Sequence, residues 1–247
     1  LALKWVDDTL FAEGNDVEIQ MGYGTDVSTL FAGEITGLEP TFSTEEPVML
    51  TVRGYDQRHR LLRGRKTRSF VQMKDSDIAR QIANAAGLRA QVEDTKTKLE
   101  YVLQHNQSDL EFLQERARRI GYEVAAEGKT LYFRSPPVNK QATLTLSVTD
   151  DLAEFFPRLT TMAQVGQVEV HGWDPKKKQA IVAQAGVGKE TGKMGGSVTG
   201  PQAANRASGR SISLEVRWPL FSKQEADQMA TGRFNELALS YITAEGA

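Results

Sequence analysis

Apolar residues recur at three- and four-residue steps in three stretches of this chain, and alternate with polar residues in most of the rest. The strongest helical stretch carries Leu110, Leu113, Ala117 and Ile120 on one face. Ser108 stands where an N-cap hydroxyl accepts from free first-turn N–H groups. Glu111, three residues on, reaches back to complete a capping box. Arg116, Arg118 and Arg119 load the last turn with the charge that the helix dipole favours there, and Gly121 supplies a stop. Tyr122 to Val124 and Leu131 to Phe133 then read as two short strands around Glu127-Gly128-Lys129. A second helix is predicted over 74–88, capped by Asp75 or Ser76. Ile78, Ala79, Ile82 and Ala86 form its apolar face, Gly87 ends it, and Leu88 folds back in a Schellman arrangement. The third helix starts at Ser222, with Glu225 repeating the capping signature, and runs through Ala226, Met229, Ala230, Phe234, Leu237 and Tyr241.

The alternating stretches predict half-buried strands. Val17, Ile19 and Met21 form one set, Val48, Leu50 and Val52 another, punctuated by Gly14-Asn15 and Gly22-Tyr23-Gly24. Residues 97–104 read as extended, and Pro136-Pro137 as a turn. Val168 and Val170 open a hairpin over 166–184 that turns at Asp174-Pro175-Lys176-Lys177 and returns through Ala180 to Ala183. Residues 186–210, rich in Gly, Ser and Thr, predict a long mobile loop. Ile212, Leu214, Val216 and Trp218 then alternate until Pro219 stops the strand. Short strands at this spacing suggest a sandwich or barrel. The fold class is α+β and mainly β, in three parts: a β part over 1–68, an α+β insertion over 69–165 and a second β part over 166–247. No solenoid-type repeat is present.

Composition narrows the class. With 247 residues, 40% hydrophobic and 25% charged, the chain can bury a substantial core. A net charge of −2 provides no global field toward nucleic acid or a membrane. The lack of cysteine removes disulfides and thiolate chemistry, and is compatible with synthesis in the cytoplasm. No apolar run approaches the roughly 20 residues that span a bilayer, so membrane insertion is not expected. No signal peptide is visible, and because the first residue is Leu1, a preceding piece is expected.

The usual catalytic patterns fail. Gly186-Val187-Gly188-Lys189 resembles a phosphate loop, but Glu190 replaces the magnesium-binding hydroxyl and Ala183 the first glycine. His59, His105 and His171 lack metal-ligand spacing. Asp7-Asp8 and Asp150-Asp151 are neighbours whose side chains point apart. There is no Gly-x-Ser-x-Gly elbow. Trp5, Trp173 and Trp218 fit core or interface packing better than a ligand cage. No catalytic residue, cofactor, metal or small-molecule substrate is therefore expected. The one concentrated chemical feature is a basic cluster: Arg53, Arg58, Arg60, Arg63, Arg65, Lys66 and Arg68, with Asp56 the only acid. It reads either as a protein interface or solvated loop, centred on Arg58, Arg60, Arg63, Arg65, Lys66 and Arg68, or as a nucleic-acid contact. Few aromatics interleave it for stacking, which weighs against the second.

Four stretches carry a family resemblance. Gln104, Asn106, Ser108, Asp109, Phe112, Leu113, Ala117 and Gly121 resemble the Q-x-N-x-(S/T)-D-x-x-F-L-x-x-x-A-x-x-x-G block of phage late-control D proteins, relatives of the VgrG-type hubs of contractile injection systems. Phe31 to Ile35 resembles their F-x-G-x-I strand, Gly54 to Leu62 their G-Y-D segment, and Val168 to Pro175 their V-x-V-x-G-W-D-P hairpin. The resemblance implies a structural, non-enzymatic baseplate hub of a phage tail or phage-derived injection machine. It implies a homotrimer in which each chain supplies two tube-like β-barrels, joining a hexameric tube ring to a trimeric spike and meeting other baseplate proteins. It also implies assembly of a cytoplasmic product into a particle, and further hub strands or a spike neck after Ala244-Glu245-Gly246, on this chain or another. On that reading the exposed strands and the basic cluster serve contacts between protomers and with the next ring. A nucleic-acid-binding protein using residues 53–68 is the alternative, and a cell-wall hydrolase fused to a hub a more distant one.

Overall fold

The computed structural model describes residues 2–45, 47–138, 145–174, 176–193, 195–209, 211–216 and 220–247. The expectations for Pro175, Trp218 and Pro219 lie outside these. Helix α1 (Ala2–Val6) and a 3-10 turn (Thr9–Phe11) precede the first strands, so the N-terminal part is not purely β. Strands β1 (Asp16–Tyr23), β2 (Asp26–Thr41) and β3 (Met49–Tyr55) form an antiparallel sheet in that order, and α1 packs against β2 and β3. The one-turn helix α2 (His59–Leu62) leads to β4 (Lys66–Lys74), helix α3 (Asp75–Ala85), β5 (Arg89–Val92) and β6 (Lys98–Gln107). Helix α4 (Asp109–Arg119) and the hairpin β7 (Glu123–Glu127) and β8 (Thr130–Arg134) follow. β4 pairs with β6, and β8 lies between an antiparallel β7 and a parallel β5.

Strand β9 (Phe155–Leu159) precedes the hairpin β10 (Gln167–Asp174) and β11 (Gln179–Gly186). Helix α5 (Gly200–Ser208), strand β12 (Ile212–Glu215), helix α6 (Lys223–Leu239) and strand β13 (Ile242–Gly246) complete the order. β10 is central, with β11 antiparallel and β12 parallel to it, while β13 returns to pair with β9. The fold is mainly β, spread over several small sheets, and none closes into a barrel among the described residues.

Two cores hold these elements. In the first, α3 and α4 pack Ile78, Ile82, Phe112 and Leu113 against Phe70, Val102, Leu131 and Phe133. In the second, Ala226, Met229, Ala230 and Phe234 of α6 cover Val168, Val170, Ile181 and Ala183. Each large side chain so buried contributes roughly 1.5–3 kcal/mol. The cores meet at a glycine seam: a Cβ on Gly232 would lie 2.5 Å from the Gly121 backbone nitrogen, closer than any side chain fits. Gly121 also has φ +72°, as its role as a helix stop requires. Beside the seam Arg119 bonds Glu225 at 2.6 Å, both nearly buried.

Several local expectations change. Ser108 and Glu111 do form a full capping box. At the second helix, however, Lys74 is the N-cap and Asp75 is already helical, and the Asp75 carboxylate accepts from Arg116 at 2.6 and 3.0 Å instead of capping. Arg116, expected to serve the helix dipole, is thus a buried partner instead. Ser222 accepts from Glu225 N, but the Glu225 carboxylate accepts from Phe221 N and from Arg119, which leaves that capping box half made. The loop expected over 186–210 contains α5. Thr199 and Gln202 form its capping box and Pro201 lies in its first turn.

Candidate assembly surfaces

The basic cluster is held mostly by acids of the same chain. Arg58 bonds Asp56 at 2.7 Å and Arg53 bonds Glu39 at 2.5 Å. Arg60 grips the buried Glu34, which also shares a 2.6 Å hydrogen bond with the buried His59. The Arg60 guanidinium holds the Glu34 carboxyl down to about 2. Arg65 donates to the Asn106 carbonyl at 2.7 Å and lies 3.3 Å from Glu111. Lys66 and Arg68 both bond Asp109 at 2.6 Å, and Gln104 bridges the network by accepting from Arg68 and donating to Asp109. Arg63 is exposed, with no ion-pair partner among the described residues. The cluster therefore brings all six predicted residues along one segment, but most of its charge is spent locally. That pairing is invisible in sequence, since Glu34, Gln104 and Asp109 are distant in the chain. Phosphates would have to compete with these carboxylates.

Apolar sheet faces are the larger surface feature. Cross-strand pairing puts Val17, Ile19 and Met21 on one face with Phe31, as alternation predicts. The expectation of half-burial fails toward the hairpin tip, where Ile19, Met21 and Tyr23 are 49, 61 and 96% exposed. Glu18, Gln20 and Thr29 bond one another on the opposite face. In the β10–β11–β12 sheet, α6 covers one side and leaves the other open. Ile212 and Leu214, expected to face a core, instead face outward beside Trp173 and Val182; Trp173 and Leu214 are 57 and 58% exposed. β4 and β6 present Val71, Tyr101 and Leu103, and β9 presents Phe155, Phe156 and Leu159. Exposed apolar residues grouped on one sheet face are the kind of surface that marks an interaction site.

The other sequence candidates gain no chemistry. Gly188 N donates to Glu190 at 2.6 Å, so the carboxylate occupies the donor that a phosphate would need. His171 pairs with Glu169 at 3.2 Å and His105 is exposed. No group of three His, Asp or Glu among the described residues is arranged to hold a metal. Trp5 packs edge-on against Phe11 with centroids 6.1 Å apart. A groove of about 620 Å³ beside the glycine seam is lined by Ile120, Tyr122, Val138, Asn235 and Leu239 among others. Burial, then Glu93, pushes the Tyr122 hydroxyl up to about 12. No helix among the described residues is long and apolar enough to cross a membrane.

The model of the Alg8 N-terminal domain family matches residues 2–245. No curated protein sequence matches the chain. Among solved structures, it is similar to the 43 kDa tail protein of prophage MuSo2 from Shewanella oneidensis, with 13% identity and TM-score 0.63 over 95% of this chain and 66% of that one. A tail protein from Neisseria meningitidis MC58 aligns with 13% identity and TM-score 0.59 over 94% of this chain and 67% of that one. Prophage tail protein gp18 from Listeria monocytogenes EGD-e aligns with 13% identity and TM-score 0.55 over 95% and 71%. The chain thus spans about two thirds of the length of the first two. At such identities the likeness is one of fold.

Proposed function

We propose, from the premise that this chain belongs to the Alg8 N-terminal domain family and has a fold shared with phage tail proteins, that it is a structural component of a phage tail or a phage-derived injection system. The observation that carries the reading is the set of apolar sheet faces left open in a chain whose polar clusters are internally paired. Such faces need covering, and rigid neighbours cover them. In the finer form, the chain is a non-enzymatic baseplate hub of the late-control D and VgrG type. Residues 1–68 and 166–247 then contribute to two tube-like barrels, and 69–165 is the insertion between them. Three copies would join a hexameric tube ring to a trimeric spike, with Arg58 to Arg68 at the contact with a neighbour. The motif resemblance and the shared fold support this form; fold alone does not carry function.

Affinity capture of the tagged protein from its native cells, with nuclease treatment and mass spectrometry, tests it. Recovery of tube, baseplate and spike proteins regardless of nuclease is expected. Recovery of nuclease-sensitive material alone would overturn the reading.

A further inference from the structure

We propose that the groove beside the glycine seam binds a small amphiphilic carboxylate of the fatty-acid type, with the acyl chain in the groove and the carboxylate on Arg118. This site stands apart from assembly, since its lining uses none of the open sheet faces. The groove is walled by α4, β7 and α6. Ala117, Ile120, Tyr122, Val124, Val138 and Leu239 give it an apolar lining, and its volume of about 620 Å³ is of the size that small-ligand sites have. Gly121 and Gly232, which meet at the seam, put no side chain into it.

The polar groups of the wall select the ligand class. Thr191 donates to Asn235 Oδ1, and Asn235 donates to the Lys189 and Thr231 carbonyls. The Thr231 hydroxyl donates to the Asp227 carbonyl, and Ser135 to Glu93. Glu236 is held by Arg233 at 2.7 Å. That leaves Gln114 and Arg118, exposed and one turn apart on α4, whose side chains have no hydrogen-bond or ion-pair partner among the described residues. Arg118 also lines an adjoining cavity of about 420 Å³, so its guanidinium stands where the two spaces meet. A guanidinium with an amide beside it offers the donors that one carboxylate needs. A peptide would bring backbone N–H and C=O groups that a wall of already paired side chains leaves unmet. An acyl chain brings none, and its single carboxylate matches the one cation of the lining.

Isothermal titration calorimetry of the full chain with sodium octanoate and with 1-octanol tests the site. Octanoate is expected to saturate at one site per chain and to bind more tightly than 1-octanol. Arg118→Ala is expected to weaken octanoate roughly tenfold or more and to leave 1-octanol unchanged, and Arg118→Lys to restore part of the loss. Thr231→Trp, which fills the groove from an exposed helix position, is expected to abolish binding of both. Circular dichroism spectra matching the wild type verify that the variants fold. Failure of octanoate to saturate, equal octanoate affinity in wild type and Arg118→Ala, or octanoate binding that survives Thr231→Trp would each overturn the site. A peptide rich in leucine and glutamate that binds more tightly than octanoate would overturn the ligand class.

Discussion

Phe70 and Ile19 are both large apolar residues on strands, and their surroundings differ. Phe70 stacks on Phe112 with ring centroids 5.7 Å apart inside the first core, while Ile19 stands half exposed on the first sheet. Around Phe70, β4 and β6 receive α3 and α4 on one side, and the polar network of Arg68, Gln104 and Asp109 seals the end of α4. Around Ile19 no helix of comparable length lies in the same stretch of chain. Alternation fixes which side chains share a face; it says nothing of whether the covering surface comes from the same chain. A face without an internal cover is then a statement about partners.

The sharpest way to break this contrast is at the ion pair beneath the closed region. Arg116→Ala leaves Asp75 as an uncompensated buried charge, with an expected loss of about 3–5 kcal/mol measured by urea unfolding. Next comes a matched pair of truncations. Leu113 is fully buried, so Leu113→Ala is expected to cost roughly 2–5 kcal/mol, while Met21→Ala should leave the monomer's stability within about 0.5 kcal/mol. Equal thermal midpoints for the two variants would erase the distinction between the regions.

The junction between the regions is sharpened by pH. The Glu34 carboxyl is held at about 2 by Arg60, below its unfolded value. Its contribution, up to about 3 kcal/mol, is present above the unfolded pKa and is lost as pH falls from about 5 toward 2. Glu34→Gln is therefore expected to flatten the acid limb of a stability-versus-pH curve. The smallest effect belongs to the basic cluster. Arg63→Ala with Arg65→Ala is expected to leave nucleic-acid retention and its salt slope unchanged, and a reduced slope would return phosphate binding to this segment.

Local signals in the sequence were sufficient for the ends of helices. Ser108 with Glu111, Gly87 with Leu88, and Gly121 each act within a few residues, and the structure has them as read. The cap of α5 was equally local, since Thr199, Pro201 and Gln202 carry the start signal; a Gly- and Ser-rich surrounding masked it. The pairings of Arg116 with Asp75 and of Arg60 with Glu34 join residues far apart in the chain, so no spacing rule reaches them. The outward turn of Ile212 and Leu214 depends on α6 taking the other side of the sheet, which strand periodicity cannot encode.

The antiparallel pair β9–β13 has a temporal consequence. Among the described residues, Phe155–Leu159 pairs with Ile242–Gly246 alone, with the entire second core between them in the chain. During synthesis β9 leaves the ribosome long before β13 exists, and the contact has a large sequence separation. Phe155 and Phe156 therefore spend the translation interval on an unpaired strand. That interval is when a nascent chain is most open to chaperones, and to premature contact with neighbours on the same polysome.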